Sequence, residues 1–442
     1  MCPQCLSLCP GSFVAREGKV FLERTCKEHG LHSELIEDNL EYFELQKHFC
    51  KPGTPSKTQT IRDKGCPYDC GLCNEHKQHT CIGLIEVTNK CNLRCPACYA
   101  SSGEGEFLSL KKIEAMMDFF QEVEYGKAEL LQLSGGEPTL HPDILKIITL
   151  AQEKKFKYTM LNTNGLRIAE DETFVAELAK IPERFEVYLQ WDGVTEKPFE
   201  ALRGAKLLQT KKKALALLEK YKIPTTLVVT VADGVNDQEL GPLFLLALNS
   251  PTIRGINFQP LARFGRLPSE STSVTKTGIM QRLADQTNGM LRMDDFVPLP
   301  CFPERIAFSY LARKGGAFYP VTRGKNAEKF VPWIKNSFTF MPEDVIDTVK
   351  TAPPQNWVEM CDCFSFLGTL KALAPLPYFS WKSTKKREHI AMNTFRISIS
   401  SFIDAYTYDQ EAMQKECVHI ITPDLKRIPF SAYSLLYRGQ EK

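Results

Sequence analysis

The chain lacks any long hydrophobic run. No apolar stretch approaches the ~20 residues that a membrane-crossing helix needs, so no span is expected. It also lacks an excess of either charge. Its 55 basic and 53 acidic residues are mixed along the chain and leave a net charge of +2. That balance argues against a bulk binder of nucleic acid or of anionic membranes. The N-terminus opens on Cys2 and Cys5 instead of a charged stretch and an apolar core, so no signal peptide is expected. A cytoplasmic setting follows, and there sixteen cysteines serve metal ligation or redox chemistry and not disulfides.

Cysteine itself is missing from residues 99–300. Twelve of the sixteen lie in the first 98 residues, and the others are Cys301, Cys361, Cys363 and Cys417. Metal chemistry therefore brackets a cysteine-free middle. The sharpest pattern is Cys91-x3-Cys95-x2-Cys98, directly after the apolar stretch Leu84-Ile85-Glu86-Val87-Thr88. Protein [4Fe-4S] clusters normally use four cysteines. Three close ones hold three irons and leave the fourth open to a small molecule.

At 442 residues and 43% hydrophobic, the chain is long enough for two or three domains. Residues 1–50 read as a small metal-binding module. Cys2-x2-Cys5 and Cys26-x2-His29 flank two short strands around Glu17-Gly18. A linker, Lys51-Pro52-Gly53-Thr54-Pro55-Ser56, opens residues 51–82, which carry Cys66-x3-Cys70-x2-Cys73, His76, His79 and Cys81. From about residue 83 strands alternate with helices. Strands are expected at 84–88, 129–133, 158–162, 185–190, 225–231 and 254–259. Helices are expected near 110–125, 142–154, 170–180, 206–221 and 236–248. Six such units over 83–290 predict an α/β fold, a partial (β/α)6 TIM-like barrel with its chemistry at the C-terminal strand ends. Residues 291–442 lose the alternation and carry 23 aromatics, against 22 in the first 290 residues. They read as an irregular C-terminal domain, either a second Phe-rich core or an apolar wall for a greasy substrate.

The triad resembles the radical S-adenosylmethionine (SAM) superfamily, with Ala97 where an aromatic usually precedes the third cysteine. The resemblance implies that the Cys91, Cys95 and Cys98 cluster binds SAM and cleaves it reductively to a 5′-deoxyadenosyl radical. Ser134-Gly135-Gly136-Glu137 looks like the superfamily's GGE motif, whose glycines let backbone carbonyls approach the SAM ammonium. Asn162, Asn164 and Asp192 are then candidates for contacts to ribose or carboxylate, Arg203 for the carboxylate, and Gln259 for the adenine end.

A narrower resemblance spans nearly the whole chain. It rests on CPxC…TCxEHG, GCPYDCGLCNEHKQHT, VTNKCNLRCPACYA, Phe402-Ile403-Asp404-Ala405-Tyr406, Cys417-Val418-His419 and Ile428-Pro429-Phe430. These are similar to the family that includes tetraether lipid synthase and proteins named as dihydro-hydroxymethylpterin methyltransferases. It implies a rubredoxin-like or zinc-ribbon-like N-terminal site with Zn or Fe, and one or two auxiliary [4Fe-4S] clusters in the C-terminal auxiliary-cluster and substrate domain. Ser431 stands where a cysteine is usual, and Cys81 is an addition.

Cys2, Cys5, Cys26 and His29, or Cys9 as the fourth donor, suit a tetrahedral ion. Cys66, Cys70 and Cys73 suit an auxiliary cluster completed by Cys81 or a C-terminal cysteine. Cys301, Cys361, Cys363 and Cys417 are enough for one more, unless some are ordinary buried cysteines. The expected reaction is carbon–carbon bond formation or another change on a lipid alkyl chain. The alternatives are methylation of a pterin-like small molecule, or electron transfer without catalysis. The expected partners are the lipid or other small-molecule substrate and a ferredoxin- or flavodoxin-type low-potential electron donor, with peripheral membrane contact for a lipid.

Overall fold

Glu17 and Gly18 both hold positive φ, 49° and 74°, the signature of a tight hairpin turn. They join β1 (Gly11–Arg16) to β2 (Lys19–Cys26), and β3 (Gly30–Glu37) completes an antiparallel three-stranded sheet. The turn between β2 and β3 brings Cys26 and His29 back beside Cys2 and Cys5. In this computed structural model all residues are described except 55, 182–183, 268–271, 315–316, 325–326, 333, 335, 338–392 and 439–442.

After α1 (Leu40–His48) and an irregular stretch, the six expected βα units follow. β4 (Ile82–Thr88) leads to α2 (Leu110–Val123), β5 (Leu130–Gly135) to α3 (Ile144–Glu153), and β6 (Tyr158–Thr163) to α4 (Leu166–Glu170) and α5 (Glu172–Leu178). β7 (Phe185–Gln190) is followed by α6 (Glu196–Arg203) and α7 (Leu208–Lys220), β8 (Thr225–Val231) by α8 (Leu240–Asn249), and β9 (Ile253–Pro260) by α9 (Lys276–Gln286). All six strands are parallel neighbours. Ile113, Met116 and Phe120, at helical spacing on α2, are fully buried against this layer. Gly83 lets α2 pack closely, because a Cβ there would stand 2.2 Å from the Phe120 ring.

The C-terminal part extends the same sheet. β10 (Val297–Pro298), β11 (Ile306–Lys314), β12 (Ala317–Pro320) and β13 (Thr394–Ser400) lie beyond β9, whereas β14 (Val418–Ile421) and β15 (Arg427–Pro429) lie beyond β4. Both inner joins, β13 to β9 and β14 to β4, are parallel. The described residues 394–437 are thus built onto both flanks of the sheet, where sequence alone suggested an irregular appendage. Among the described residues the sheet has two ends and does not close into a barrel. Among the described residues no helix is long and apolar enough to cross a membrane.

Strand alternation sorts the side chains. Val187 and Leu189 are fully buried among the helices, while Tyr188 and Gln190 face an inner cavity. Ile256 and Phe258 likewise alternate with Asn257 and Gln259. The inner face of the sheet is therefore markedly polar.

Candidate functional site

The cavity inside the sheet measures about 260 Å3, and Cys91, Cys95 and Cys98 all line it. Their loop leaves the C-terminal end of β4 and is pinned from several sides. The Cys91 N–H donates to Gly103 O (2.8 Å), and Ala97 N–H donates to Leu202 O (3.2 Å). Cys98 and Arg266 exchange backbone hydrogen bonds of 2.8 and 2.9 Å, and Arg266 Nε donates to Cys95 O at 2.7 Å. Burial pushes the Cys91 thiol up to about 11 and raises Cys95 as well. Without iron these thiols keep their protons, and iron binding must expel them. Three thiols facing one roomy cavity fit the cluster that their spacing implies.

The glycines of the GGE motif act first on the protein itself. A Cβ on Gly135 would lie 2.1 Å from Thr88 O, and one on Gly136 2.3 Å from Lys90 O. Gly135 also sits at φ +131°, where a side chain is strained. Their bareness lets Gly136 N–H donate to Thr88 O (2.7 Å) and Glu137 N–H to Lys90 O (2.8 Å). The expected approach of their carbonyls to a SAM ammonium is thus joined by a second duty: they dock the end of β5 against the start of the cysteine loop. Glu137 is 1% exposed, and burial raises its pKa. Its Oε1 accepts from Thr139 N (3.1 Å) and Thr163 Oγ1 (2.8 Å), and its Oε2 from Asn164 N (2.7 Å). It ties together the loops after β5 and β6.

The other expected residues gather around this point. Asn162 Nδ2 donates to Ser134 Oγ (3.3 Å), which also shares a proton with Tyr99 Oη at 3.2 Å. Asn164 Nδ2 donates to Asn92 Oδ1 at 2.7 Å, inside the cysteine loop. Ser134, Asn162, Asn164, Arg203 and Gln259 all line the cavity. Asp192 does not, and this corrects its expected contact with a cofactor. It is fully buried behind Arg203, whose Nε and Nη2 donate to its two oxygens at 2.7 Å each. Arg203 Nη1 donates to Ala97 O at 3.1 Å, so the pair braces the cysteine loop.

Two cations escaped the sequence reading. Lys211 is 1% exposed beneath the site and donates to Gln190 O (2.9 Å), and burial lowers its pKa to about 8. Nothing in Lys211-Lys212-Lys213 marks the first of the three as the buried one. Arg396 of β13 reaches the cavity beside Thr226 (3.2 Å) and Glu186 (3.8 Å). Its position depends on a strand pairing that sequence does not reveal.

The remaining cysteines fall into three sets. Cys2, Cys5, Cys26 and His29 converge with every ligand atom within 4.8 Å of the others. Cys9 Sγ instead lies 3.5 Å from Ser7 O, outside that group. Cys66, Cys70 and Cys73 face a common cavity with His76 and Met413, and burial pushes Cys66 up to about 12. That cavity is narrow, about 10 Å3. Cys81, expected there as a fourth ligand, lies instead with Cys301 and Cys417. Cys361 and Cys363 fall outside the described residues. Cys50 is exposed and accepts a hydrogen bond from Lys415 Nζ at 3.2 Å.

Residues 85–247 match the family model of the radical SAM superfamily, and residues 1–38 match that of the HMPTM N-terminal zinc ribbon domain. The chain is 30% identical over 493 aligned residues to 7,8-dihydro-6-hydroxymethylpterin dimethyltransferase of Methanocaldococcus jannaschii, covering 100% of this chain and 93% of that one. It is also 30% identical over 169 residues to GTP 3′,8-cyclase of Shewanella denitrificans, covering 36% of this chain and 47% of that one. Among solved structures it resembles Streptococcus suis SuiB bound to S-adenosylmethionine, at 16% identity and a TM-score of 0.40, covering 48% of this chain and 47% of that one.

Proposed function

The chain belongs to the radical SAM family of 7,8-dihydro-6-hydroxymethylpterin dimethyltransferase, and on that premise we propose that it methylates a pterin-like small molecule. The observation that supports this reading is the mixed lining of the cavity, which holds hydrogen-bonding and aromatic side chains together beside the cluster-binding loop. The lining offers amides and hydroxyls, among them Gln132, Tyr188 and Asn257. It also offers the rings of Tyr99, Phe402 and Phe430, with Phe430 5.1 Å from Tyr99 and 4.4 Å from Phe402. A flat heterocycle with hydrogen-bonding edges suits both kinds of lining at once.

In this reading Cys91, Cys95 and Cys98 hold the [4Fe-4S] cluster, and Ser134, Asn162, Asn164, Arg203 and Gln259 hold SAM. When bound, the cluster and SAM supply a radical able to take hydrogen from an unactivated C–H bond. The protein's own share is position and dryness. Arg203 and Arg266 hold the carbonyls of Ala97 and Cys95, Glu137 fixes two neighbouring loops, and the aromatic wall excludes water. Electrons come from a low-potential donor of ferredoxin or flavodoxin type.

A second reading, modification of a lipid alkyl chain, draws on Phe264, Phe302, Phe402 and Phe430 in the apolar wall. The experiment that separates the two is anaerobic reconstitution, reduction with dithionite, and 5′-deoxyadenosine measurement with reduced hydroxymethylpterin or with lipid extract. The pterin is expected to stimulate cleavage and to gain carbon. Stimulation by lipid alone, with altered lipids and unchanged pterins in cells lacking the gene, overturns the first reading in favour of the second.

A further inference from the structure

Among the described residues two groups bring three or more metal-binding atoms within 4.8 Å of one another. One is Cys2, Cys5, Cys26 and His29, in the segment that matches a zinc ribbon. The other is Cys81, Cys301 and Cys417. The thiols of Cys91, Cys95 and Cys98 are not such a group, nor are those of Cys66, Cys70 and Cys73.

Spacing separates a single ion from a cube. Around one tetrahedral ion, metal–sulfur bonds of ~2.3 Å set the sulfurs ~3.8 Å apart. Around a cube each thiolate takes a different corner iron, so the sulfurs stand farther apart. Cys5 and Cys26 in the ribbon are 3.8 Å apart, and Cys301 and Cys417 are 3.9 Å apart. We infer that Cys81, Cys301 and Cys417 hold one thiophilic metal ion, zinc or iron, as a mononuclear site. His79 Nε2 lies 3.8 Å from Cys81 Sγ, outside the group of three whose atoms lie within 4.8 Å of one another.

The surroundings suit a structural ion. Cys81, Cys301 and Cys417 are 0%, 3% and 0% exposed. None of them lines the main cavity, whereas their chain neighbours Ile82, Phe302, Glu416 and Val418 do. The ion would therefore sit just under the cavity floor, shielded from substrate. Cys81 directly precedes β4 and Cys417 directly precedes β14, and Cys81 N–H donates to Cys417 O at 2.9 Å. Cys301 lies in the turn closed by Phe302 N–H to Leu299 O, 2.9 Å. One ion would staple three distant segments and fix the aromatic wall against β4. The inference is independent of the substrate proposed above.

The test measures zinc, iron and acid-labile sulfide per chain in full-length protein purified without oxygen. Cys301→Ser and Cys417→Ser are each expected to lose one metal equivalent with sulfide unchanged. Combining either with Cys26→Ser is expected to lose two. Loss of about four irons together with four sulfides identifies a cube and overturns the inference. Unchanged metal content shows three merely packed thiols and overturns it too. If the variants do not fold, anomalous diffraction from wild-type crystals decides. A single peak between the three sulfurs supports the site, and a four-iron cube or no peak sinks it.

Discussion

Arg203 grips Asp192 through two parallel hydrogen bonds, Nε to Oδ2 and Nη2 to Oδ1, both 2.7 Å, with the carboxylate wholly buried. Thr230 N–H adds a third bond to Oδ1 at 3.1 Å. The pair links the end of β7 to the cysteine loop through Ala97 O. Asp192→Ala leaves a guanidinium buried and unpaired, so it should cost about 3–5 kcal/mol. Arg203→Met added to Asp192→Ala should recover part of that loss. Urea unfolding of the cluster-free chains measures both, and equal midpoints for wild type and Asp192→Ala contradict the bracing role.

Gly136→Ala places a methyl against Lys90 O and should displace the start of the cysteine loop. A misplacement of about 1 Å at a reacting centre costs on the order of 100-fold. The expected result is a fall of that order in 5′-deoxyadenosine formation with the fold retained by circular dichroism. An unimpaired rate would show that the loop tolerates the shift.

Lys211 carries a pH signature. Its folded-state pKa is lowered by burial from 10.5 to about 8, so between those values the unfolded chain binds more protons than the folded one. Its stability cost is therefore present in full below pH 8 and is relieved as pH rises toward 10.5. The span corresponds to roughly 3 kcal/mol. Wild type minus Lys211→Met, followed by chemical denaturation from pH 7 to 10, should show stability rising with pH. A flat difference contradicts the buried charge.

Cys95→Ala should abolish SAM cleavage and reduce bound iron by about four per chain. Cys50→Ala, at an exposed position hydrogen-bonded to Lys415, should leave both unchanged. Product assays beside iron determination read the two outcomes.

Local periodicity made the strands legible. The expected 185–190 and 225–231 coincide with β7 and β8, because β-branched runs between amphipathic stretches leave few alternatives. The cavity-lining residues Ser134, Asn162 and Gln259 were legible for a related reason: each sits at a strand end that the βα alternation already located. Partnerships across the chain were not legible. Asp192 and Arg203 both stood out, yet only the fold shows that they bind each other. Cys81 is one of two kinds of fourth ligand the sequence offers to the set ending at Cys73, eight residues away, and it lies with Cys417, 336 residues away. The joins of β13 to β9 and β14 to β4 pair strands far apart in the chain, which no local pattern encodes.

Those two joins also impose a schedule on synthesis. Cys98 leaves the ribosome more than 300 residues before Phe430 completes the aromatic wall beside it. At ~5–20 residues per second the nascent iron-binding loop is unroofed for on the order of tens of seconds. Until translation reaches the last strands, the loop has neither its flank nor its cover, so the cavity closes around it only after those strands are made.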